Sequence, residues 1–196
     1  MDLLKFLALL LYIVQIFVNI FYGQNIGKIS NSLNLDISPS NWVFSIWLII
    51  YSSQLYMLLN IKSTELIAIF IPHALTVLFN ISWIFSFINE KFGLATIFII
   101  GLLASILFIL VCKKAYLTSL TSSFYHLYFG WVSIASFLGL FTWLLADFSK
   151  YYNLIWPFVL YSITILGLVN YNLFTAIPFI IVYSDLLFKK IFRINN

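Results

Sequence analysis

Charged residues are scarce in this chain, and their scarcity excludes most soluble folds. Only 8% of the 196 residues are Asp, Glu, Lys or Arg, whereas 63% are hydrophobic and 20% are aromatic. Soluble domains carry about a quarter charged residues and about half apolar ones. A soluble domain of this length has too little interior to bury so much apolar surface. The composition therefore indicates an integral membrane protein.

Other absences remove whole classes of function. The single cysteine, Cys112, cannot form an intramolecular disulfide, and we interpret it as a small buried side chain near a helix end. The sequence contains no H-E-x-x-H, Gly-rich phosphate loop, G-x-S-x-G or cluster of Cys and His. It also has no basic stripe of the kind that nucleic-acid binding needs. These absences favour a protein that is not an enzyme, requires no cofactor or metal and binds no nucleic acid.

Long apolar runs are what the chain has instead. Seven of them lie near 3–22, 42–60, 66–88, 94–112, 124–146, 153–169 and 173–190. Each is long enough to span a bilayer core as a helix, which takes about 20 residues. Strands are not expected, because the runs are apolar on both faces. The first run is longer than a signal-peptide core and lacks a cleavage pattern, so we interpret it as a retained span. The sequence thus predicts an all-α, multi-pass bundle of seven spans in the lipid bilayer.

The distribution of Lys and Arg predicts the orientation. The membrane face that carries the N-terminus has four of them, and the opposite face has six. Basic loops favour the cytoplasm, so we expect a cytoplasmic C-terminus and an external N-terminus, in the cell membrane.

The second span presents aromatic residues at helical spacing. Phe44, Trp47 and Tyr51 fall on one stripe, together with Gln54. Trp42 lies about 140° from Trp47 around an ideal helix, and we interpret it as an anchor at the water–lipid boundary. From the residues alone, packing explains such a stripe more simply than a ligand pocket does.

The third span carries a polar stripe. His73, Thr76, Asn80, Trp83 and Phe87 fall within an arc of about 80°. An asparagine at mid-membrane depth should either bond to another helix or line a polar cavity, and the sequence leaves both open.

The fifth span has a face formed by Tyr128, Trp131, Ala135 and Gly139. Its small-xxx-small pair would let another helix approach closely. The acidic residues of the chain all map to span ends or loops, so we expect no carboxylate at mid-membrane.

Three motifs, in this order, resemble the tryptophan-rich sensory protein family, also called the translocator protein or peripheral benzodiazepine receptor family. They are Pro39-x-x-x-x-Phe44-Ser45-Ile46-Trp47-x-x-x-Tyr51, Asn80-Ile81-Ser82-Trp83 with Phe87, and Tyr128-x-Gly130-Trp131-x-x-x-Ala135. The resemblance covers about residues 1–146, the five-helix core, and implies that 147–196 add two transmembrane helices and a short basic tail. The chain departs from the family pattern at Thr76 and Gly139, where members have glutamine and asparagine.

The resemblance implies a ligand-binding function. Family members bind tetrapyrroles, and in some cases sterols, in a pocket inside the bundle. We therefore expect a planar hydrophobic ligand, such as protoporphyrin or haem, and a role as a sensor or receptor or in tetrapyrrole handling. Helix faces and resemblance together predict ten ligand-binding residues: Phe44, Trp47, Tyr51, Thr76, Asn80, Trp83, Phe87, Tyr128, Trp131 and Ala135.

Alternatives stay open at this point. The polar stripe of the third span is also compatible with a small-molecule transporter, and porphyrin breakdown has been entertained for the family. A homodimer is left open. The polar loop 23–41 is expected to cover the pocket as a lid.

Overall fold

The structure, a computed structural model, describes residues 3–32, 39–145, 155–170 and 172–192. All regular structure in these ranges is helical, as predicted. The α-helices are α1 (Leu3–Tyr22), α2 (Gln24–Ser32), α3 (Ile46–Asn60), α4 (Ser63–Ile88), α5 (Phe92–Cys112), α6 (Ser119–Leu145), α7 (Ile155–Leu168) and α8 (Leu173–Phe192). Two short 3-10 helices, Asn41–Ser45 and Lys114–Tyr116, precede α3 and α6.

Five helical segments are long and apolar enough to cross a membrane. They are Leu3–Tyr22, Asn41–Asn60, Ser63–Ile88, Phe92–Cys112 and Ser119–Leu144. These segments match the five predicted core spans, and the chain is an integral, polytopic, all-α membrane protein. The orientation of its termini stays a prediction.

The last two predicted spans differ from the other five. In the described part of the chain, α7 has 14 residues, fewer than the roughly 20 that a bilayer core requires. Helix α8 has 20 residues but includes Asp185, Lys189 and Lys190. The apolar runs at 153–169 and 173–190 therefore form helices whose membrane crossing remains a prediction.

The segment 23–41, which was predicted as a loop, is partly helical. Helix α2 follows α1 directly, and the amide of Gly23 donates to the carbonyl of Asn19 over 2.9 Å. Ile26 is buried beneath α2, whereas Gln24, Asn25, Lys28 and Ser32 are exposed. Helix α2 is therefore a short amphipathic cover on α1 and α4. Residues 33–38 of the predicted lid lie outside the described residues.

The five long segments enclose a common interior. Helix α1 packs against α3 and α4, α5 packs against α4 and α6, and α6 closes the ring by packing against α3. The close approach of α5 to α6 uses the small-residue face, because Thr96 Oγ1 donates to the carbonyl of Gly139 over 2.9 Å. Cys112 is exposed at the end of α5, so the interpretation as a buried side chain was wrong.

Helix α8 packs on the outer face of α6. A Cβ atom on Gly130 would lie only 2.3 Å from the carbonyl oxygen of Thr175, so only glycine allows this approach. His126 Nδ1 also lies 3.0 Å from Thr175 Oγ1. Helix α8 thus packs closely against the core. The division of the chain into 1–146 and 147–196 stays a prediction.

Candidate functional site

Trp47 lies at the centre of a cluster of aromatic side chains. Its ring stacks on Tyr51 with centroids 5.3 Å apart, and it lies 6.1 Å from Trp83, 6.1 Å from Tyr128 and 6.0 Å from Trp131. Phe44 extends the cluster from Trp131, and Phe87 extends it from Trp83. All these separations lie in the range of favourable aromatic pairs. We call these seven residues, Phe44, Trp47, Tyr51, Trp83, Phe87, Tyr128 and Trp131, the aromatic cluster.

The aromatic cluster is closely packed. Trp83, Phe87, Tyr128 and Trp131 are buried, and Trp47 is half-buried. The inner cavity among these rings measures about 30 Å³, and Ala135 forms part of its wall. A space of that size holds about one water molecule. The inner cavity is therefore too small for a planar ligand unless a ring moves.

A larger outer cavity of about 420 Å³ lies beside the cluster, between α1, α2 and the start of α3. This volume is within the range of small-molecule sites, about 300–1,000 Å³. Among its described lining residues, Lys28 alone carries a charge. The lining consists of Ile16, Asn19, Ile20, Gly23, Gln24, Ile26, Gly27, Lys28, Asn41, Phe44, Trp47 and Tyr51. Trp47 and Phe44 line both cavities and separate the outer one from the interior.

Below the aromatic cluster, four amide side chains from three helices meet. Asn80 Oδ1 accepts hydrogen bonds from Gln15 Nε2 over 3.2 Å and from Asn19 Nδ2 over 3.1 Å. Gln54 Nε2 donates to Gln15 Oε1 over 3.0 Å. We call Gln15, Asn19, Gln54 and Asn80 the amide cluster. Of the two roles left open for Asn80, the structure shows the bond to another helix.

The amide cluster still has unused hydrogen-bonding capacity. Asn80 Nδ2 and the Tyr51 hydroxyl are buried beside each other, but they do not form a hydrogen bond of ordinary geometry. The hydroxyl of Tyr128 is likewise buried beside Gln15 and does not form a hydrogen bond of ordinary geometry with it. Asn19 and Tyr51 line the outer cavity, so this polar group lies at its inner wall.

Nine of the ten predicted ligand-binding residues come together in this region. Seven form the aromatic cluster, Asn80 belongs to the amide cluster and Ala135 lines the inner cavity. Thr76 differs, because its hydroxyl donates to the carbonyl of His73 in its own helix over 2.7 Å. It lines neither cavity. Ligand binding by these residues stays a prediction.

The sequence interpretation missed Gln15 and Asn19, although a signal was present. They are two amides, four residues apart, in a first span that is otherwise apolar after Lys5, and this spacing places both on one helix face. The α2 residues Ile26, Gly27 and Lys28 were not named as site residues, although the segment 23–41 that contains them was predicted to cover the pocket.

Trp42, which the sequence predicts as an anchor at the water–lipid boundary, also bonds to α8. Its ring is 57% exposed, but its indole Nε1 donates to Asp185 Oδ1 over 2.9 Å. The amide of Ser40 donates to the other oxygen of the same carboxylate over 2.9 Å. Asp185 is buried within α8, about two turns before its end. Asp185 thus lies near the end of α8, and its depth in the membrane stays a prediction.

Comparison with known families agrees with this architecture. A sequence model for a family described as TSPO-like protein matches residues 2–188. The chain belongs to this family. The match includes α7 and most of α8, and so extends beyond the 1–146 core where the motifs were found. No curated protein and no solved structure matches the chain. Membership of the TSPO-like family and the buried aromatic cluster fit a membrane protein that binds ligands.

The side chains of the site suit binding rather than acid–base chemistry. The described residues contain no group of three or more His, Cys, Asp or Glu that could hold a metal ion. The outer cavity offers aromatic faces, neutral amides and one lysine. Such a surface can stack on a flat apolar ring system and hydrogen-bond to polar groups at its edge.

Proposed function

We propose that this TSPO-like protein binds a planar hydrophobic ligand of the tetrapyrrole type in the outer cavity, and acts as a sensor or receptor. The observation that carries the proposal is the position of Trp47, which is the centre of the aromatic cluster and also part of the wall of the outer cavity. A ring system in that cavity can stack on Trp47 and Phe44 without disturbing the buried rings behind them.

The polar part of the lining supports a ligand that carries carboxylates, as tetrapyrroles do. Lys28 of α2 lies at the cavity and supplies a positive charge. Asn19 adds an amide, and the unfilled hydrogen-bonding capacity of Tyr51 and Asn80 lies behind it. A sterol-like ligand would use the apolar wall but would leave Lys28 without a partner of opposite charge on the ligand.

Transport is the second candidate, and the polar stripe of α4 is the relevant feature. His73 Nδ1 is 2.8 Å from the Tyr125 hydroxyl, Thr76 bonds to its own helix and Asn80 is held by the amide cluster. Because each of these groups has a hydrogen-bond partner within the bundle, although His73 Nε2 and Asn80 Nδ2 stay without one, they favour helix packing over a permeation path. Uptake of protoporphyrin into proteoliposomes distinguishes the two functions, since a receptor binds the ligand without flux.

Quenching of tryptophan fluorescence by protoporphyrin in detergent tests the proposal. We expect saturable quenching in the wild type and a smaller amplitude in Trp83→Phe, since Trp83 lies in the aromatic cluster. Trp143→Phe is the matched control, because Trp143 is half exposed near the end of α6, lies against Gly93 and lines neither cavity of the site. Quenching that is linear and unsaturable, or that is reduced equally by both substitutions, would refute binding at the cluster.

A further inference from the structure

A second cavity, of about 580 Å³, lies on the opposite membrane face between α3, α6 and the start of α8. Its lining consists of Ser52, Ser53, Tyr56, Ser119, Leu120, Ser123, Phe124, Leu127 and Phe174. None of these residues lines the outer or inner cavity of the aromatic site. We propose that this second cavity binds a neutral glycerolipid from the surrounding bilayer, with its hydroxyl and ester groups against the serines.

The depth of the second cavity suits a lipid headgroup. The end of α3 and the start of α6 lie on the same membrane face, because two spans, α4 and α5, separate them along the chain. Ser53 lies about 10 Å before the end of α3, and Ser123 about 6 Å after the start of α6, at 1.5 Å per residue. These hydroxyls are therefore near the level where lipid headgroups and ester groups meet the hydrocarbon.

The hydroxyl groups of the second cavity are available for a ligand. Those of Ser52, Ser53, Tyr56, Ser119 and Ser123 have no hydrogen-bond partner in the described part of the chain. Three helical serines elsewhere in the bundle, by contrast, bond within their own helix: Ser105, Ser133 and Ser162 each donate to the carbonyl four residues earlier. Because these five hydroxyls gather around one cavity near the headgroup level, the group favours an occupant with polar groups that can hydrogen-bond to it.

Charge and shape narrow the class of that occupant. No Lys, Arg, Asp or Glu is among the described residues that line the second cavity, so nothing there balances a phosphate. Phe124 and Leu127 are buried and line the part of the cavity that is nearer to the membrane centre, where the surface is apolar. Diacylglycerol matches both ends of the cavity. Its neutral head, with one hydroxyl and two ester groups, fits the serines, and its acyl chains fit the apolar surface.

Three helices form this cavity. Helix α6 forms its floor, and α3 and α8 supply its walls through Tyr56 and Phe174. Toward the other membrane face, the bonds of Trp42 and Ser40 to Asp185 tie the 3-10 helix before α3 to α8. The segment that leads into α3 and helix α8 are therefore linked at the membrane face opposite the second cavity.

Photocrosslinking in nanodiscs tests this proposal. A diacylglycerol carrying a diazirine in its acyl chain is compared with a phosphatidylglycerol carrying the same chain, and labelled peptides are mapped. We expect diacylglycerol to label residues 52–56 and 119–127 at least about fivefold more than the anionic probe does, the factor expected for about 1 kcal/mol of hydroxyl bonding. Equal labelling by both probes, or labelling spread evenly over the lipid-facing helices, would overturn the proposal.

Serine substitutions distinguish specific binding in the second cavity from non-specific contact with lipid. The double substitution Ser53→Ala with Ser123→Ala should reduce diacylglycerol labelling of these segments at least about fivefold. Ser122→Ala is the matched control, because Ser122 is adjacent to Ser123 but outside the lining, and it should keep wild-type labelling. Retained labelling in the double variant contradicts the proposal, and so do crosslinks that join two copies of the chain through these segments. Should the double variant fail to fold, the comparison of the two probes on the wild type still decides.

Discussion

Asn80 on α4 accepts a hydrogen bond from Gln15 on α1 at 3.2 Å, deep inside the bundle. The same oxygen also accepts from Asn19, so one side chain links two helices through charge-free hydrogen bonds. In the membrane interior such groups must find partners within the protein, because water is absent there. The amide cluster therefore fixes how α1 and α4 are aligned, and with them one wall of the outer cavity.

A double-mutant cycle tests the coupling of Gln15 and Asn80. We expect Asn80→Leu alone to lower the free energy of unfolding by about 1–3 kcal/mol, because the Gln15 and Asn19 donors lose their acceptor. The double variant, with Asn80→Leu and Gln15→Leu, should lose less free energy of unfolding than the two single variants lose together. Both hydrogen-bonding partners are apolar in it. Thermal unfolding in detergent measures this, with Asn89→Ala as the control, because Asn89 bonds only within its own helix. Additive losses would contradict the coupling.

Gly130 and Gly139 of α6 should respond oppositely to the same substitution. Gly130→Ala places a methyl group 2.3 Å from the Thr175 carbonyl oxygen, so α8 must move, at a cost of about 1–3 kcal/mol. Gly139→Ala meets only ordinary contacts, 3.6 Å from Thr96 Oγ1, and gains helix propensity of about 0.5–1 kcal/mol. Melting temperatures of the two variants check this difference. Equal destabilisation of both would mean that α8 does not pack on Gly130.

Asp185 holds the 3-10 helix that leads into α3. Replacing it with alanine removes the acceptor of both the Trp42 indole and the Ser40 amide. We expect faster hydrogen exchange of backbone amides in residues 40–45 and no change in α5. Glu90→Gln is the control, because Glu90 is exposed in the turn between α4 and α5. Unchanged exchange in residues 40–45 would show that the Asp185 contacts do not restrain this segment.

Lys28 should attract the carboxylates of a tetrapyrrole. We expect Lys28→Glu to weaken protoporphyrin binding about tenfold at low salt, and less at high salt, because screening weakens exposed charge interactions. Lys91→Glu makes the same change in net charge at an exposed position on the same membrane face, and it should bind like the wild type. A titration followed by porphyrin absorbance gives both affinities. Equal weakening in the two variants would indicate a general surface effect.

Much of the site followed from helix periodicity and family resemblance. The stripe of Phe44, Trp47 and Tyr51 faces the bundle as its spacing predicted, and it meets Trp83 and Trp131 from other helices. Periodicity identifies a face on each helix, and apolar length identifies the span. Both are local properties of the chain, which is why they could be predicted.

The missing parts of the prediction are those that depend on tertiary packing. The bond between Trp42 and Asp185 joins residues 143 positions apart, and no local pattern connects them. Lys28 lines the outer cavity because α2 packs against α1 and α4. The size of the inner cavity depends on how closely the rings interdigitate, which neither spacing nor composition encodes.

The affinity of Trp47→Ala for protoporphyrin tests the central claim most directly. Trp47 forms part of the wall between the outer cavity and the aromatic cluster, so a ligand in the outer cavity must contact it. The account predicts a dissociation constant at least about tenfold higher than that of the wild type, from lost ring stacking and burial. Trp143→Ala should bind like the wild type, because Trp143 is half exposed and lines neither cavity of the site. Wild-type affinity in Trp47→Ala, with the protein still folded, would contradict the assignment of the ligand site.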